Sequence, residues 1–192
     1  MHGRMKYINR WALMRNTRAE NISEHSGDVA VIAHALCVLG NTRFGKSLNA
    51  ERAAFLGLYH DMPEIITGDM PTPVKYHSEE MKKAYARVEN MASEKLLSML
   101  PDDMRIYYES AFFKKDEDEY LWKIVKAADK ISALTKCIEE KKAGNLEFSK
   151  ALESTQRAIE NMALPEADEF LREFIPGFYL SLDEQNIQKK QE

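Results

Sequence analysis

Apolar residues recur along this chain with the 3.6-residue period of an α-helix, and strand-like alternation is nearly absent. Val29, Ile32, Ala33, Leu36 and Leu39 fall on one helical face. Leu121, Ile124, Val125, Ala128, Ile131, Leu134 and Ile138 form a second, longer stripe. Stripes of this kind are satisfied by packing against other helices. With 192 residues there is enough chain for one sizeable core and little for two. The expected fold is all-α, a single-domain helical bundle over 1–184 with a frayed tail at 185–192.

Punctuation along the sequence divides the bundle. A short first helix is expected from Ile8 to Met14. Ser23 reads as the N-cap of a helix from Glu24 to about Leu39, and Asn49 as the cap of the next, which ends in His60-Asp61. Pro63, Gly68, Pro71 and Pro73 turn 62–75 into a loop with one helical turn. A helix from Ser78 to Met99 is closed by Pro101, and another covers 102–113. The acidic run Asp116–Glu119 suits a helix N-terminus, and that helix runs to a stop near Gly144. Two more, 147–163 and 165–182, complete the chain, the second bent or broken at Pro176.

The formal net charge of -4 and pI of about 5.8 exclude a broad basic face for polymeric nucleic acid. A local Arg or Lys cluster can still hold a small anion. Cys37 and Cys137 both lie in apolar helical patterns and read as buried free thiols of a reducing compartment. Met1–Lys6 lacks the apolar stretch of a signal peptide. No window approaches the roughly 18 uninterrupted apolar residues of a membrane span. A cytoplasmic protein without a membrane partner is expected.

Four side chains carry metal chemistry in the order His25…His60-Asp61…Asp129, each in or at the end of an apolar helix. Two imidazoles and two carboxylates suit Mn, Fe, Co, Ni or Zn better than Ca or Mg. Such a set also leaves positions free for water and substrate, as hydrolysis requires. Each residue alone has a plainer reading. His25 shares the apolar face of its helix and could be a hydrogen-bonded core histidine. His60 or Asp61 could be a solvated helix end, and Asp129 could pair with Lys126 or Lys130. His34 is a control: at about 100° per residue it points away from His25 and reads as structural. His2 and His77 fall in a terminus and a loop.

Glu64 follows within reach of the His60-Asp61 pair and could orient a water or move its proton. Pro63 beside it argues against a plain helix continuation. Asp69, after Gly68, is ordinary turn chemistry unless its context says otherwise. Arg10 can hold a phosphate through its planar fork, and Trp11 can wall off a sugar or base. Their plainer readings are a snorkelled Arg and a core-edge Trp. Trp122 reads as packing.

The His25…His60-Asp61…Asp129 pattern resembles the HD-domain metal-dependent phosphohydrolase superfamily. The segments Ile8–Asn16, Glu20–Ser26, Tyr59-His60-Asp61 with Glu64, Thr67–Tyr76, Lys126–Asp129 and Ser181–Glu184 narrow the resemblance to its YfbR-like 5'-deoxynucleotidase branch over nearly the whole chain. The resemblance implies an HD-type bundle with a metal site among three central helices. It implies hydrolysis of deoxyribonucleoside 5'-monophosphates to deoxyribonucleosides and phosphate. His25, His60, Asp61 and Asp129 would bind one divalent metal, Co, Mn or Cu by resemblance, with Fe, Ni or Zn as other candidates. Arg10 would orient the phosphate and Glu64 would assist the attacking water. Trp11 would press on the sugar where a ribonucleotide carries its 2'-hydroxyl, and Asp69 would accept from the 3'-hydroxyl. Met70, Pro71 and Thr72 would line the pocket, and His25, Asp61 and Asp129 would also meet the substrate. Relatives of this kind are homodimers. Two rivals remain open: a deoxynucleoside triphosphate triphosphohydrolase using Lys75, Lys126 or Lys130, and a non-catalytic nucleotide sensor.

Overall fold

The computed structural model describes residues 2–188. Among these the architecture is helical, with one isolated antiparallel bridge between Asn9 and Asn21. The helices are α1 (Ile22–Arg43), α2 (Ala50–Tyr59), α3 (Glu64–Thr67), α4 (Thr72–Lys75), α5 (Glu79–Ser98), α6 (Asp102–Phe112), α7 (Glu119–Lys142), α8 (Ser149–Glu160), α9 (Pro165–Glu173), α10 (Ile175–Phe178) and α11 (Leu182–Gln188). Helices α1, α2 and α7 pack on one another at the centre, and α8 and α9 close the far side. Both stripes named from the sequence are buried in this core. His34 is exposed, and Cys37 and Cys137 are free and buried. Burial pushes both thiols up to about 12.

Several expectations are corrected. The helix expected over Ile8–Met14 is absent. A 3₁₀ helix covers His2–Tyr7, and the chain then passes through the bridge at Asn9 into a turn over Trp11–Met14. Backbone groups on either side of Asn9 are taken by the bridge, with Ile22 N–H donating to the Ile8 carbonyl at 3.0 Å and Arg10 N–H to the Glu20 carbonyl at 2.9 Å. Asn21, in place of Ser23, caps α1, because its side chain accepts from the amides of both Ser23 and Glu24. At the other end α1 runs past Leu39 to Arg43. The 62–75 loop folds into two short helices, α3 and α4. The break near Pro176 falls at Phe174, with Pro176 in the first turn of α10. Helix α11 occupies the first part of the stretch read as a frayed tail, and 189–192 lie outside the described residues. By length and mean hydropathy α1 meets the test for a membrane span, although Glu24, His25 and Asp28 interrupt its apolar run, as expected. Half of that window is buried inside the fold, where α1 serves as the central helix.

Two features hold the central helices and the N-terminal arm in place. Helix α2 crosses α1 so closely at Gly57 that a Cβ there would lie 2.9 Å from Ala30 Cα. A buried carboxylate, Glu140 of α7, ties down the segment that precedes α1. It accepts from Thr17 Oγ1 at 2.8 Å, the Thr17 amide at 2.9 Å, Asn145 Nδ2 at 2.8 Å and the ammonium of Lys136. Lys136 and Asn145 reach on to the carbonyls of Arg18 and Arg15 at 2.6 and 2.7 Å.

Glu140→Ala leaves Lys136 buried without its counter-ion, and breaking a buried pair costs about 3–5 kcal/mol. Denaturant unfolding measures this loss. Burial pushes the Glu140 carboxyl up, but bonds from Lys136, Asn145 and Thr17 prevail and hold it well below the usual range. Its stabilisation is therefore present above the unfolded value of about 4.3 and fades as pH falls toward the lower folded value. Glu140→Gln should flatten the acid limb of the stability profile below about pH 4.3.

Candidate active site

The central helices bring the expected metal-binding residues together. His25 lies on the buried face of α1, His60 and Asp61 follow the last turn of α2, and Asp129 lies midway along α7. His25, His60 and Asp61 offer ligand atoms that all lie within 4.8 Å of one another. The imidazole rings are 5.3 Å apart between centroids. Asp61 Oδ2 lies 3.1 Å from His60 Nε2 and 3.5 Å from His25 Nε2, and Asp129 Oδ1 lies 3.1 Å from His25 Nε2. The salt bridge to Lys126 or Lys130 considered for Asp129 is not formed among the described residues.

The other ring nitrogens are committed. His60 Nδ1 donates to the Gly57 carbonyl at 2.7 Å, which leaves Nε2 as the lone-pair nitrogen of the neutral ring. His25 Nδ1 pairs with Ser132 Oγ at 3.0 Å. Both Nε2 atoms are buried and lack a hydrogen-bond partner, as does Glu64 Oε2. The lone pair on His60 Nε2, and that on His25 Nε2 in the tautomer whose Nδ1–H donates to Ser132, repel the facing carboxylate oxygens unless a cation sits between them. The donor set therefore fits a divalent first-row metal.

The electrostatics agree with a site built for positive charge. Burial, then the Arg10 guanidinium, pushes His25 down to about 4. Burial also disfavours the charged form of His60, but the Asp61 and Asp129 carboxylates prevail and raise it to about 9. Asp61 is held well below the usual carboxylate range by His60 and His25 against the effect of burial. Asp129 is likewise lowered, burial opposing and His25 prevailing. Glu64 is raised to about 10 by burial and by the charges of Asp61 and Asp69. Pro63 starts α3, so Glu64 stands at its first position and is turned inward, 9% exposed.

A cavity of about 550 Å³ is lined by Arg10, Trp11, Asp69, Met70, Pro71 and Thr72, and α8 closes its far wall. The snorkelled reading of Arg10 is overturned: its Nη2 lies 3.8 Å from Asp129 Oδ1, which joins this cavity to the His–Asp cluster. A second cavity, of about 290 Å³, borders His60, Asp61, Glu64 and Asp129 from another side. Lys75 and Lys126 line this second cavity, but Lys75 is paired with Glu89 at 2.8 Å. Trp122 lines it too, packed against the core, although its indole Nε1 lacks a partner.

The sequence alone did not single out Ser132 or Glu20. Ser132 was within reach, since it follows Asp129 by three residues and shares its face of α7. Glu20 carries no local signal. It is marked by two bonds that only the folded arm forms, from Trp11 Nε1 at 2.9 Å and Arg10 Nη1 at 3.3 Å. Burial raises its pKa, with Arg10 and Trp11 opposing.

Comparison with known proteins gives a consistent picture. A family model described as 5'-deoxynucleotidase YfbR-like matches residues 1–178. A 5'-deoxynucleotidase of Photorhabdus laumondii is 46% identical over 181 residues, covering 94% of this chain and 92% of that protein. The 5'-deoxynucleotidase YfbR of Salmonella paratyphi B is 47% identical, covering 94% and 91%. An HD-domain phosphohydrolase from Listeria innocua superposes with a TM-score of 0.81 at 22% identity, covering 94% of this chain and 87% of that one. A cyanophage S-2L HD phosphohydrolase, bound to dA and one catalytic Zn²⁺, has a TM-score of 0.64 at 19% identity, covering 92% and 94%. The fold is that of the HD phosphohydrolases.

His60→Ala and Asp129→Ala should each strip the protein of divalent metal while leaving its helical circular dichroism intact. Elemental analysis of purified parent and variants checks this. Parent-level metal in both variants would remove these residues from the ligand set.

Proposed function

The chain belongs to the YfbR-like 5'-deoxynucleotidase family, and on that premise we propose that it hydrolyses deoxyribonucleoside 5'-monophosphates to deoxyribonucleosides and inorganic phosphate. The observation that carries this reading is Arg10, whose guanidinium joins a nucleoside-sized cavity to buried, unpartnered imidazole nitrogens. The first cavity lies within the usual range of about 300–1,000 Å³ for small-ligand sites.

The roles divide by position. His25, His60, Asp61 and Asp129 hold one divalent metal, with Co, Mn or Cu the first candidates and Fe, Ni or Zn behind them. What such a cation supplies is positive charge against the phosphoryl oxygens and a more acidic water. Arg10 presents its fork to the phosphate and meets the charge that develops there. Glu64 borders the same cavity as His60, Asp61 and Asp129 with an unpartnered Oε2, so it would orient the attacking water. Burial and the nearby carboxylates keep it protonated until the charge of a bound cation lowers its proton affinity, and only then can it accept the water's proton. Trp11 sets its ring against C2' of the sugar, and Asp69 accepts from the 3'-hydroxyl. Met70, Pro71 and Thr72 wall the nucleoside.

A triphosphohydrolase needs free cations for two further phosphates, and the pairing of Lys75 with Glu89 counts against it. A sensor has no use for Glu64 beside a complete ligand set. We further propose a homodimer at work in the cytoplasm, which light scattering and cell fractionation test.

Arg10→Ala should lower kcat/KM for dAMP by about 10²–10³-fold, the range for one preorganised donor. Arg10→Lys should recover part of that loss, since a point charge does not reproduce the fork. Phosphate-release assays decide it. A loss under about twofold in Arg10→Ala would place Arg10 outside the site.

Sugar discrimination is the sharper test. A ribose 2'-hydroxyl against the Trp11 ring is buried without a partner, a penalty of about 1–3 kcal/mol. Parent enzyme should prefer dAMP to AMP, and Trp11→Ala should narrow the gap. Equal kcat/KM for the two nucleotides in the parent overturns the deoxynucleotidase reading.

A further inference from the structure

Glu20 stands outside the residues assigned to the reaction. It sits where the extended arm returns to α1, 8% exposed. One oxygen, Oε2, accepts both the Trp11 indole N–H and an Arg10 guanidinium N–H. The backbone carbonyl of the same residue accepts the Arg10 amide. A single residue thus fixes the backbone, the charge and the ring of the Arg10-Trp11 dipeptide.

That dipeptide needs fixing. Trp11 has φ of 60°, a left-handed conformation that residues with a Cβ rarely adopt and that persists only where the surroundings enforce it. The Trp11 ring also leans on Phe148, with centroids 5.3 Å apart, but that apolar contact lets the ring slide. The bond to Glu20 is directional and sets the ring's rotation. Arg10 faces a different hazard. Asp129 lies 3.8 Å from its Nη2, and the carboxylates of Asp61 and Asp69 also act on its charge. An untethered guanidinium is drawn into that cluster, where it competes with a metal. The Glu20 carboxylate holds Nη1 back and leaves the rest of the fork for phosphate.

We propose that Glu20 is a positioning residue that couples phosphate recognition to sugar discrimination, through one carboxylate oxygen shared by Arg10 and Trp11. The proposal rests on the deoxynucleotidase reading, and its test separates the two.

The experiment measures kcat and KM for dAMP and AMP with metal-loaded parent, Glu20→Gln, Glu20→Ala, Trp11→Ala and the Glu20→Ala/Trp11→Ala double variant, with unfolding temperature and metal content as controls. Glu20→Ala should lower kcat/KM for dAMP by about ten- to hundredfold, the range for outer partners that orient a functional group. It should also bring the dAMP-to-AMP ratio down to that of Trp11→Ala, and the double variant should show no further fall in that ratio. Glu20→Gln keeps an acceptor for the indole but loses the charge on Arg10. It should raise KM for both nucleotides and preserve the ratio. A merely structural Glu20 lowers the unfolding temperature and the activity on both substrates together. In that case Glu20→Ala keeps the parent ratio, which overturns the proposal. Should Glu20→Ala fail to fold, an unchanged KM in Glu20→Gln overturns it as well. Loss of preference in the parent itself overturns the underlying reading first, before any variant is made.

Discussion

The close crossing of α1 and α2 at Gly57 is the constraint on which the site depends. Without a Cβ at 57 the two backbones approach to a distance that alanine would block at Ala30. That approach places the His25 and His60 rings 5.3 Å apart and turns both Nε2 atoms toward one point. The same glycine offers its carbonyl to His60 Nδ1, so one residue sets both the helix spacing and the ring's tautomer. Helix α7 then needs to supply only Asp129 and, one turn on, the hydroxyl of Ser132.

Such a cluster opposes folding as much as it serves function. Two imidazoles and the carboxylates of Asp61 and Asp129 meet beside a core of Val29, Ala33 and Ala128. Lone pairs facing carboxylates at 3.1 Å gain nothing until positive charge arrives. The raised His60 and lowered Asp61 describe the same demand, met by a proton when no metal meets it. Binding that favours the folded chain over the unfolded one stabilises it in proportion to ligand concentration. A divalent cation held there would therefore add to the stability of the fold.

Much of this was legible. The buried stripes of α1 and α7, the cap at Asn49 and the end of α2 at His60-Asp61 follow from periodicity and capping. That His25, His60, Asp61 and Asp129 come together was readable because polar groups on three apolar helices need a reason to be there. The Ile8–Met14 segment was not legible. Its composition permits a helix, but the Arg10 amide and the Ile8 carbonyl are taken by Glu20 and Ile22, ten to fourteen residues ahead, and no local rule registers that competition. The cap was misplaced by two residues for a related reason: Asn21 and Ser23 are both good caps, and the bridge at Asn9 favours the earlier one.

That non-helical arm accounts for the remaining geometry. In a helix, Arg10 and Trp11 would point about 100° apart and could not both turn toward a single carboxylate. Extended and left-handed at Trp11, the backbone sends the guanidinium toward Asp129 and the indole along the wall of the larger cavity. Such a conformation costs roughly 1–3 kcal/mol and has to be imposed from outside the dipeptide. Glu20 imposes it on one flank. On the other, Asn16 Nδ2 donates to the Trp11 and Met14 carbonyls, and Glu140 and Asn145 pin the chain at Thr17 and Arg15. The conformation at Trp11 is therefore braced in part by the buried Lys136–Glu140 pair on α7, through its hold on Thr17 and Arg18. Loosening that pair should reach substrate discrimination before it reaches the His–Asp cluster, whose residues stand on α1, α2 and α7 and not on the arm.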